Sequence, residues 1–247
     1  MHLYIIRHAQ SANNELYATT GGSAGRQPDP PLTELGHRQA QVVARTLAAR
    51  PDKAALNRYA LRHDRGGYDL THLYTSLMVR AIVTGGYIAE ATGLLLQAWP
   101  EIHERGGLHD EAPETGEAIL VAGPGRSFFA AEYPHLILPD ALGDEGWWNR
   151  PRELPEQWLA RAETVWQELL ARHGGSDDRV ALVTHGGFFQ SLMSALVGRE
   201  APLVQPNLSA WWFGISNASI THLEIEARIG VRYVNKVDHL PDELLTG

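Results

Sequence analysis

The chain contains no cysteine, which removes disulfide frameworks, thiolate nucleophiles and Cys-based zinc sites from consideration. That absence permits a reducing compartment, and the cytoplasm is the expected location. A basic excess is also missing: 21 Lys and Arg stand against 29 Asp and Glu, for a formal net charge of -8. Binding along a phosphate backbone needs clustered cations, so no nucleic-acid partner is expected. No run of roughly eighteen uncharged apolar residues occurs, and no basic segment followed by an apolar one opens the chain. Neither a membrane partner nor an export signal is therefore expected. None of the twelve histidines stands four residues from another, the helical spacing of zinc-protease ligands. We expect no metal and no other cofactor to be required.

What is present suits a packed α/β protein. A length of 247 residues with 44% hydrophobic content can bury a sizeable core, and a single domain over residues 1–247 is expected. Leu3–Ile6, Leu70–Ser76, Leu94–Leu96 with Ala98 and Trp99, and Val180–Thr184 read as strands. Helical patterns run from a Thr33 cap to Arg50-Pro51, from Met78 to Ala91, from Pro155 to Gly174-Gly175 and from Phe188 to Val197. Ala218–Ile225 and Val231–Val237 alternate as a hairpin, and Ala18–Pro31 reads as a loop. Strands alternating with helices predict a three-layer α/β/α sandwich with a mostly parallel central sheet and an antiparallel pair at its end. Asn57–Asp69 reads as an inserted loop or short helix. Residues 101–154 lack a clear period and are expected to form a covering insertion, the usual use of so long an irregular segment.

Two strands end alike. The first runs straight into Arg7-His8 and the later one, Val180–Thr184, into His185-Gly186-Gly187. Open α/β sheets place ligands at the carboxyl ends of their strands, so the two histidines are expected to meet over one site. Phosphoryl transfer through a protein nucleophile needs an unprotonated nucleophile, donors for the phosphoryl oxygens and an acid for the leaving group. A neutral imidazole flanked by guanidinium groups meets the first need, because the cations disfavour its protonated form.

Arg7-His8-Ala9-Gln10-Ser11-Ala12-Asn13-Asn14, Leu32-Thr33-Glu34-Leu35-Gly36, Ser76-Leu77-Met78-Val79-Arg80-Ala81, His103-Glu104-Arg105 and Thr184-His185-Gly186-Gly187 follow one another in that order. The series resembles the histidine phosphatase superfamily, which includes the cofactor-dependent phosphoglycerate mutases and many phosphatases. The resemblance covers nearly the whole chain and extends to Gly146-Trp147-Trp148 and Asp238-His239-Leu240. It implies a phosphoglycerate mutase-like fold and a small phosphorylated metabolite as substrate. His8 becomes the nucleophile, Arg7, Arg80 and His185 the groups around the phosphoryl, and Asn14 a further amide donor. Glu104 matches the family's proton donor, with Glu101, Asp110 and Glu111 as acidic neighbours. Ala9 and Gln10 depart from the commonest pattern, which has glycine and glutamate there.

Three functions compete: a phosphatase acting through phosphohistidine, a mutase returning the phosphoryl group to a sugar acid, and a silent module that binds phosphorylated ligands. Together, a nucleophile and an acid argue against the silent module. Family mutases carry a Phe-Thr-Gly-Trp segment in the first loop, where this chain has Glu15-Leu16-Tyr17-Ala18-Thr19-Thr20-Gly21, which favours the phosphatase. The oligomeric state is left open, a homodimer included. Gly21-Gly22-Ser23-Ala24-Gly25 spells a serine-hydrolase elbow without the required strand before it or helix after it. Gly123-Pro124-Gly125 reads as a plain turn, and Trp147, Trp148, Trp211 and Trp212 as packing residues.

Overall fold

The computed structural model describes residues 1–54, 56–112, 115, 117–197 and 212–247. In chain order the elements are β1 (His2–Arg7), α1 (Ala12–Thr20), α2 (Glu34–Ala48), α3 (Arg58–Arg62), β2 (His72–Thr75), α4 (Val79–Thr92), β3 (Leu96–Ala98), β4 (His109–Glu111) and β5 (Ala118–Leu120). They continue with α5 (Arg126–Glu132), β6 (Leu136–Ile137), α6 (Pro155–His173), β7 (Arg179–Thr184), α7 (Gly186–Val197), β8 (Ile220–Ile225) and β9 (Ile229–Lys236). Seven strands form one sheet in the order β6-β3-β2-β7-β1-β8-β9. Its first five strands are parallel, and β8 and β9 add an antiparallel edge.

The period of two along β1 and β7 explains the three layers. Leu3 and Ile5 of β1, with Val180 and Leu182 of β7, pack into a core with Ala162, Val165 and Leu169 of α6 and Phe188, Leu192 and Met193 of α7. The alternate residues Tyr4, Ile6, Ala181 and Val183 join a second core with Ala40, Val43 and Leu47 of α2 and Ala81, Ile82 and Ile88 of α4. A strand buried on both faces must be apolar at every position, which is why these read as continuous runs in the sequence. Truncating one such side chain to alanine costs about 2–5 kcal/mol.

Several local readings change. Ala18–Thr20 is not loop but the last turn of α1, whose N-terminus Ser11 caps through a reciprocal bond with Asn14. α1 buries no residue, so it carries no hydrophobic period by which to read it. The third strand begins at Leu96, because Leu95 points outward at 68% exposure. Trp147 and Trp148 are buried in the core as expected, but Trp212 is 80% exposed and does not pack; Trp211 lies outside the described residues. Gly21 closes α1 with a left-handed conformation and no strand precedes Ser23, so the serine elbow is absent there. Gly123 takes a left-handed turn conformation and Gly125 caps α5.

The segment 101–154 contains strands and a helix of its own. β4 and β5 pair only with each other, whereas β6 extends the central sheet beyond β3. Gly107 fixes its seat: the backbone there is left-handed (φ 65°) and a Cβ would collide with the indole of Trp148. Both constraints select glycine.

Candidate active site

Register brings the site together. Arg7 of β1 lies opposite Thr184 of β7, and Thr75 of β2 lies opposite Val183. The next residues, His8, His185 and Ser76, therefore leave three neighbouring strands at one level. The backbone N–H of His8 donates to Thr184 O at 2.8 Å, and that of Ser76 to Val183 O at 3.3 Å. The chain then turns into α4, whose second residue is Arg80. This is the crevice at the carboxyl ends where open α/β sheets hold ligands.

His8 is 3% exposed, and its hydrogen bonds define its tautomer. Nδ1 lies 2.7 Å from the carbonyl of Ala9, which can only accept, so the proton is on Nδ1. Nε2 is left as a lone pair and receives Arg80 Nε–H at 3.2 Å. Burial, then the charges of Arg80 and Arg7, hold its pKa well below the ordinary histidine value. The ring is therefore a neutral nitrogen base. Its backbone is braced as well: Asn217 Nδ2 donates to His8 O at 3.1 Å, and Thr84 Oγ1 accepts from Ala9 N at 3.1 Å.

Arg7 Nη1 is spent on the carbonyl of Ile215 at 2.6 Å, while its Nε is buried without a partner. His185 is fully buried, with ring centroid 5.1 Å from that of His8. Its Nε2 meets Ser76 Oγ at 2.7 Å and its Nδ1 has no partner. Its pKa is likewise pressed well down, by burial and then by Arg80. Unsatisfied buried donors are rare because each costs about 1–3 kcal/mol, and where they occur together they mark a place for a missing acceptor. Arg7 Nε is one, and His185 Nδ1 is a second in the tautomer whose Nε2 accepts from Ser76 Oγ; an anion would satisfy both. Asn14 faces the same region with its oxygen committed to Ser11 N (3.1 Å) and Asn217 Nδ2 (3.2 Å). Its amide nitrogen is thereby free to donate.

Glu104 follows the 3-10 turn Pro100–Ile102 that ends the β3 connection. One oxygen, Oε1, accepts from Arg105 N at 2.8 Å and from Phe188 N at 3.0 Å, the latter in the first turn of α7. A carboxylate at a helix N-terminus is held by the exposed N–H groups and the helix dipole. A Cβ at Gly187 would collide with Oε1, so the glycine after His185-Gly186 admits the carboxylate. His103 steadies the turn through Nδ1 and the carbonyl of Glu104 (2.7 Å) and packs edge-on against Trp148 at 4.7 Å. Of the neighbouring acids, Glu101 is engaged instead by Arg150 at 3.4 Å.

Two participants escaped the sequence reading. Asp29 accepts from Val79 N with both carboxylate oxygens (3.1 and 3.2 Å) and lies 3.5 Å from Arg80 Nη1. Burial raises its pKa to about 6, against the lowering influence of Arg80. Among the described residues, it is the anion that pairs with the Arg80 guanidinium. Asp29-Pro30-Pro31 offered only loop punctuation, with no period to mark it. Asn217, beyond the undescribed stretch, ties His8 to Asn14 and sits in no motif.

The chain belongs to the histidine phosphatase superfamily (branch 1), whose family model matches residues 3–119 and 123–234. A 2,3-bisphosphoglycerate-dependent phosphoglycerate mutase of Latilactobacillus sakei is 25% identical over 214 residues, covering 78% of this chain and 79% of the mutase. Among solved structures, a mycobacterial glucosyl-3-phosphoglycerate phosphatase in complex with VO3 superposes with a TM-score of 0.55 at 22% identity, covering 96% of this chain and 99% of its own. The phosphoserine phosphatase of Entamoeba histolytica, in complex with 3-phosphoglyceric acid, gives 0.55 at 17% identity over 97% and 99%. These likenesses fit the α/β/α sandwich expected from the alternating strands and helices.

Proposed function

We propose that this protein hydrolyses a small phosphomonoester through a phosphohistidine on His8. The observation that carries the reading is the state of His8: a buried, neutral imidazole whose Nδ1 proton is held by Ala9 O, leaving the Nε2 lone pair beside Arg80. In the first step Nε2 attacks phosphorus and the bond to the leaving oxygen breaks. The phosphoryl oxygens take the donors of Arg7, Arg80, Asn14 and His185, which stand where charge gathers in the transition state. Glu104 gives its proton to the leaving oxygen. In the second step it takes a proton from water as the oxygen attacks phosphorus and the P–N bond breaks, which restores His8. Two guanidinium groups, one amide and one imidazole would take the place in which a metal otherwise balances the phosphate, so chelators should leave the rate unchanged.

Rapid-quench labelling with a 32P-labelled phosphomonoester tests the reading. Acid-labile label on His8 is expected. Label on a serine, or full turnover by His8→Ala, would overturn it. The mutase is the second reading, favoured by the 25% identical relative. It uses the same phosphohistidine and differs in the acceptor, so 3-phosphoglycerate supplied with and without its bisphosphate separates the two. Release of inorganic phosphate supports the phosphatase, and appearance of 2-phosphoglycerate the mutase.

A further inference from the structure

At the opposite end of the sheet from His8, three ligand-bearing side chains converge from separate elements. His72 opens β2, His173 ends α6, and Asp178 lies in the turn that leads into β7. His173 Nδ1 is 2.8 Å from Asp178 Oδ2, and His72 Nδ1 is 3.9 Å from Asp178 Oδ1. One ligand atom from each residue lies within 4.8 Å of the other two. The imidazole rings meet edge-on with centroids 4.5 Å apart. His173 is 4% exposed, whereas His72 and Asp178 reach solvent.

Three further observations point to a cation. The second nitrogen of His173, Nε2, is 3.1 Å from the buried hydroxyl of Tyr74. Metal-bound histidines are usually oriented by such a partner on the ring nitrogen that does not ligate. His173 is also the last residue of the nineteen-residue α6, and the carbonyl end of a helix favours positive charge. Among the described residues, no lysine or arginine pairs with Asp178; the nearby Arg179 is committed to Asp64 at 2.9 Å. Among the described residues, the carboxylate meets the two imidazoles and the Ser176 side chain.

We propose that His72, His173 and Asp178 form a second ligand site, one that takes a borderline transition-metal cation, Zn2+ by its chemistry. Two imidazole nitrogens and one carboxylate suit Zn2+ and its neighbours in the first transition row, and not Mg2+ or Ca2+, which demand oxygen shells. With ligand bonds of about 2.0–2.1 Å, tetrahedral ligands stand about 3.4 Å apart. The wider separations must therefore contract by up to roughly an ångström while the His173–Asp178 contact opens by about half of one, movements that the partly exposed His72 and Asp178 can supply. Thr71 Oγ1, now 2.9 Å from His72 Nδ1, would be displaced, and solvent would fill the fourth position. The cation would clip the start of β2 to the end of α6. It would stabilise the fold without entering the reaction at the other end of the sheet.

The test uses the whole chain dialysed against EDTA and then titrated with Co2+, whose four-coordinate visible absorption reports the ligand field, and with Zn2+ followed by thermal unfolding. One equivalent of Co2+ should bind with that spectrum, and saturating Zn2+ should raise Tm by about 5 °C or more. His72→Ala and Asp178→Asn, both at solvent-reaching positions, should each weaken binding at least about tenfold, and Tyr74→Phe by about tenfold through loss of the orienting hydroxyl. Phosphatase rates should be the same in these variants as in the wild type. Absence of the Co2+ band, or stoichiometric binding that survives both His72→Ala and Asp178→Asn, would overturn the site. Binding is read without turnover, so failure of the phosphatase reading would leave this result standing, and the reverse.

Discussion

At the carboxyl end of the sheet His8, His103 and His185 are buried among guanidinium groups, whereas at the amino end His173 and His222 are buried against carboxylates. The second arrangement is gathered around one carboxylate. Asp64 accepts from Tyr4 Oη and Tyr233 Oη at 2.8 Å and from Arg179 at 2.9 Å, with His222 Nδ1 a further 2.8 Å contact that lacks hydrogen-bond direction. In the first, among the described residues, Arg7 Nε and His185 Nδ1 have no hydrogen-bond partner. Burial is common to both ends, so the sign of the neighbouring charge separates the proposed anion-binding site from a structural brace.

The sharpest way to break this comparison is to remove one central group from each end. His8→Ala should lower kcat by more than about a thousandfold while leaving Tm near the wild-type value, since it deletes the covalent step and no core packing. Asp64→Asn should do the reverse. It leaves Arg179 without its buried anion, at a cost of about 3–5 kcal/mol, with the specific activity of the folded protein unchanged. Urea unfolding and steady-state assays on the two variants check both halves. A stable, inactive Asp64→Asn protein would mean that the amino end also serves the reaction.

Arg80→Ala comes next. It removes the donor to His8 Nε2 and a cation of the proposed phosphoryl site, so kcat/KM should fall on the order of a hundredfold. Vanadate should lose affinity in parallel, because the same guanidinium would hold both. An unchanged inhibition constant would place the anion elsewhere.

A smaller and more selective effect is expected at Glu104. A proton donor matters most when the leaving alcohol is poor, so Glu104→Gln should slow an alkyl phosphate far more than p-nitrophenyl phosphate. Gly187→Ala should copy that pattern, since a methyl group there would push Oε1 away from the α7 N-terminus. Glu101→Gln should affect both substrates weakly and alike, as its partner is the surface residue Arg150. If the leaving-group dependence followed Glu101 instead, the acid would have to be reassigned while His8 and the arginines kept their roles.

How far the sequence reaches depends on whether a residue's position is set by a local pattern. β1 and β7 were legible because burial on both faces forces unbroken apolar runs, and those runs stop at Arg7-His8 and His185. The pairing that brings the two histidines within 5.1 Å is long-range, yet the shared strand-end arrangement announced it. Asp29, Asn217 and α1 were not legible. Asp29 acts through a loop whose course Arg80 and Val79 N fix from α4. Asn217 acts on the backbone of His8 from the segment before β8, the neighbour of β1. α1 lies on the surface and buries nothing. Ser76 stood inside a quoted motif, but only the fold shows its hydroxyl 2.7 Å from His185. The His72, His173 and Asp178 cluster was hidden for the same reason: its spacing carries no helical or strand period.

The mildest expected effect concerns acid. A histidine whose pKa is depressed by folding binds fewer protons in the native state than in the unfolded one, so stability falls as pH drops below the unfolded value of about 6.5. His8, His103 and His185 all have that sign. Each should contribute a slope of about 1.4 kcal/mol per pH unit, from about pH 6.5 down to its own folded pKa. Asp29 has the opposite sign. Its pKa is raised from 3.8 to about 6, so protonation favours the native state through that interval and offsets one histidine below pH 6. Urea unfolding of wild type and His8→Ala at pH 7.5, 6.5 and 5.5 isolates the His8 contribution. The two proteins should run parallel above pH 6.5, and below it the variant should lose stability more slowly, by about 1.4 kcal/mol per unit. Parallel curves throughout would mean that His8 keeps an ordinary affinity for protons in the folded protein, and the neutral nucleophile on which the phosphatase reading rests would lose its basis.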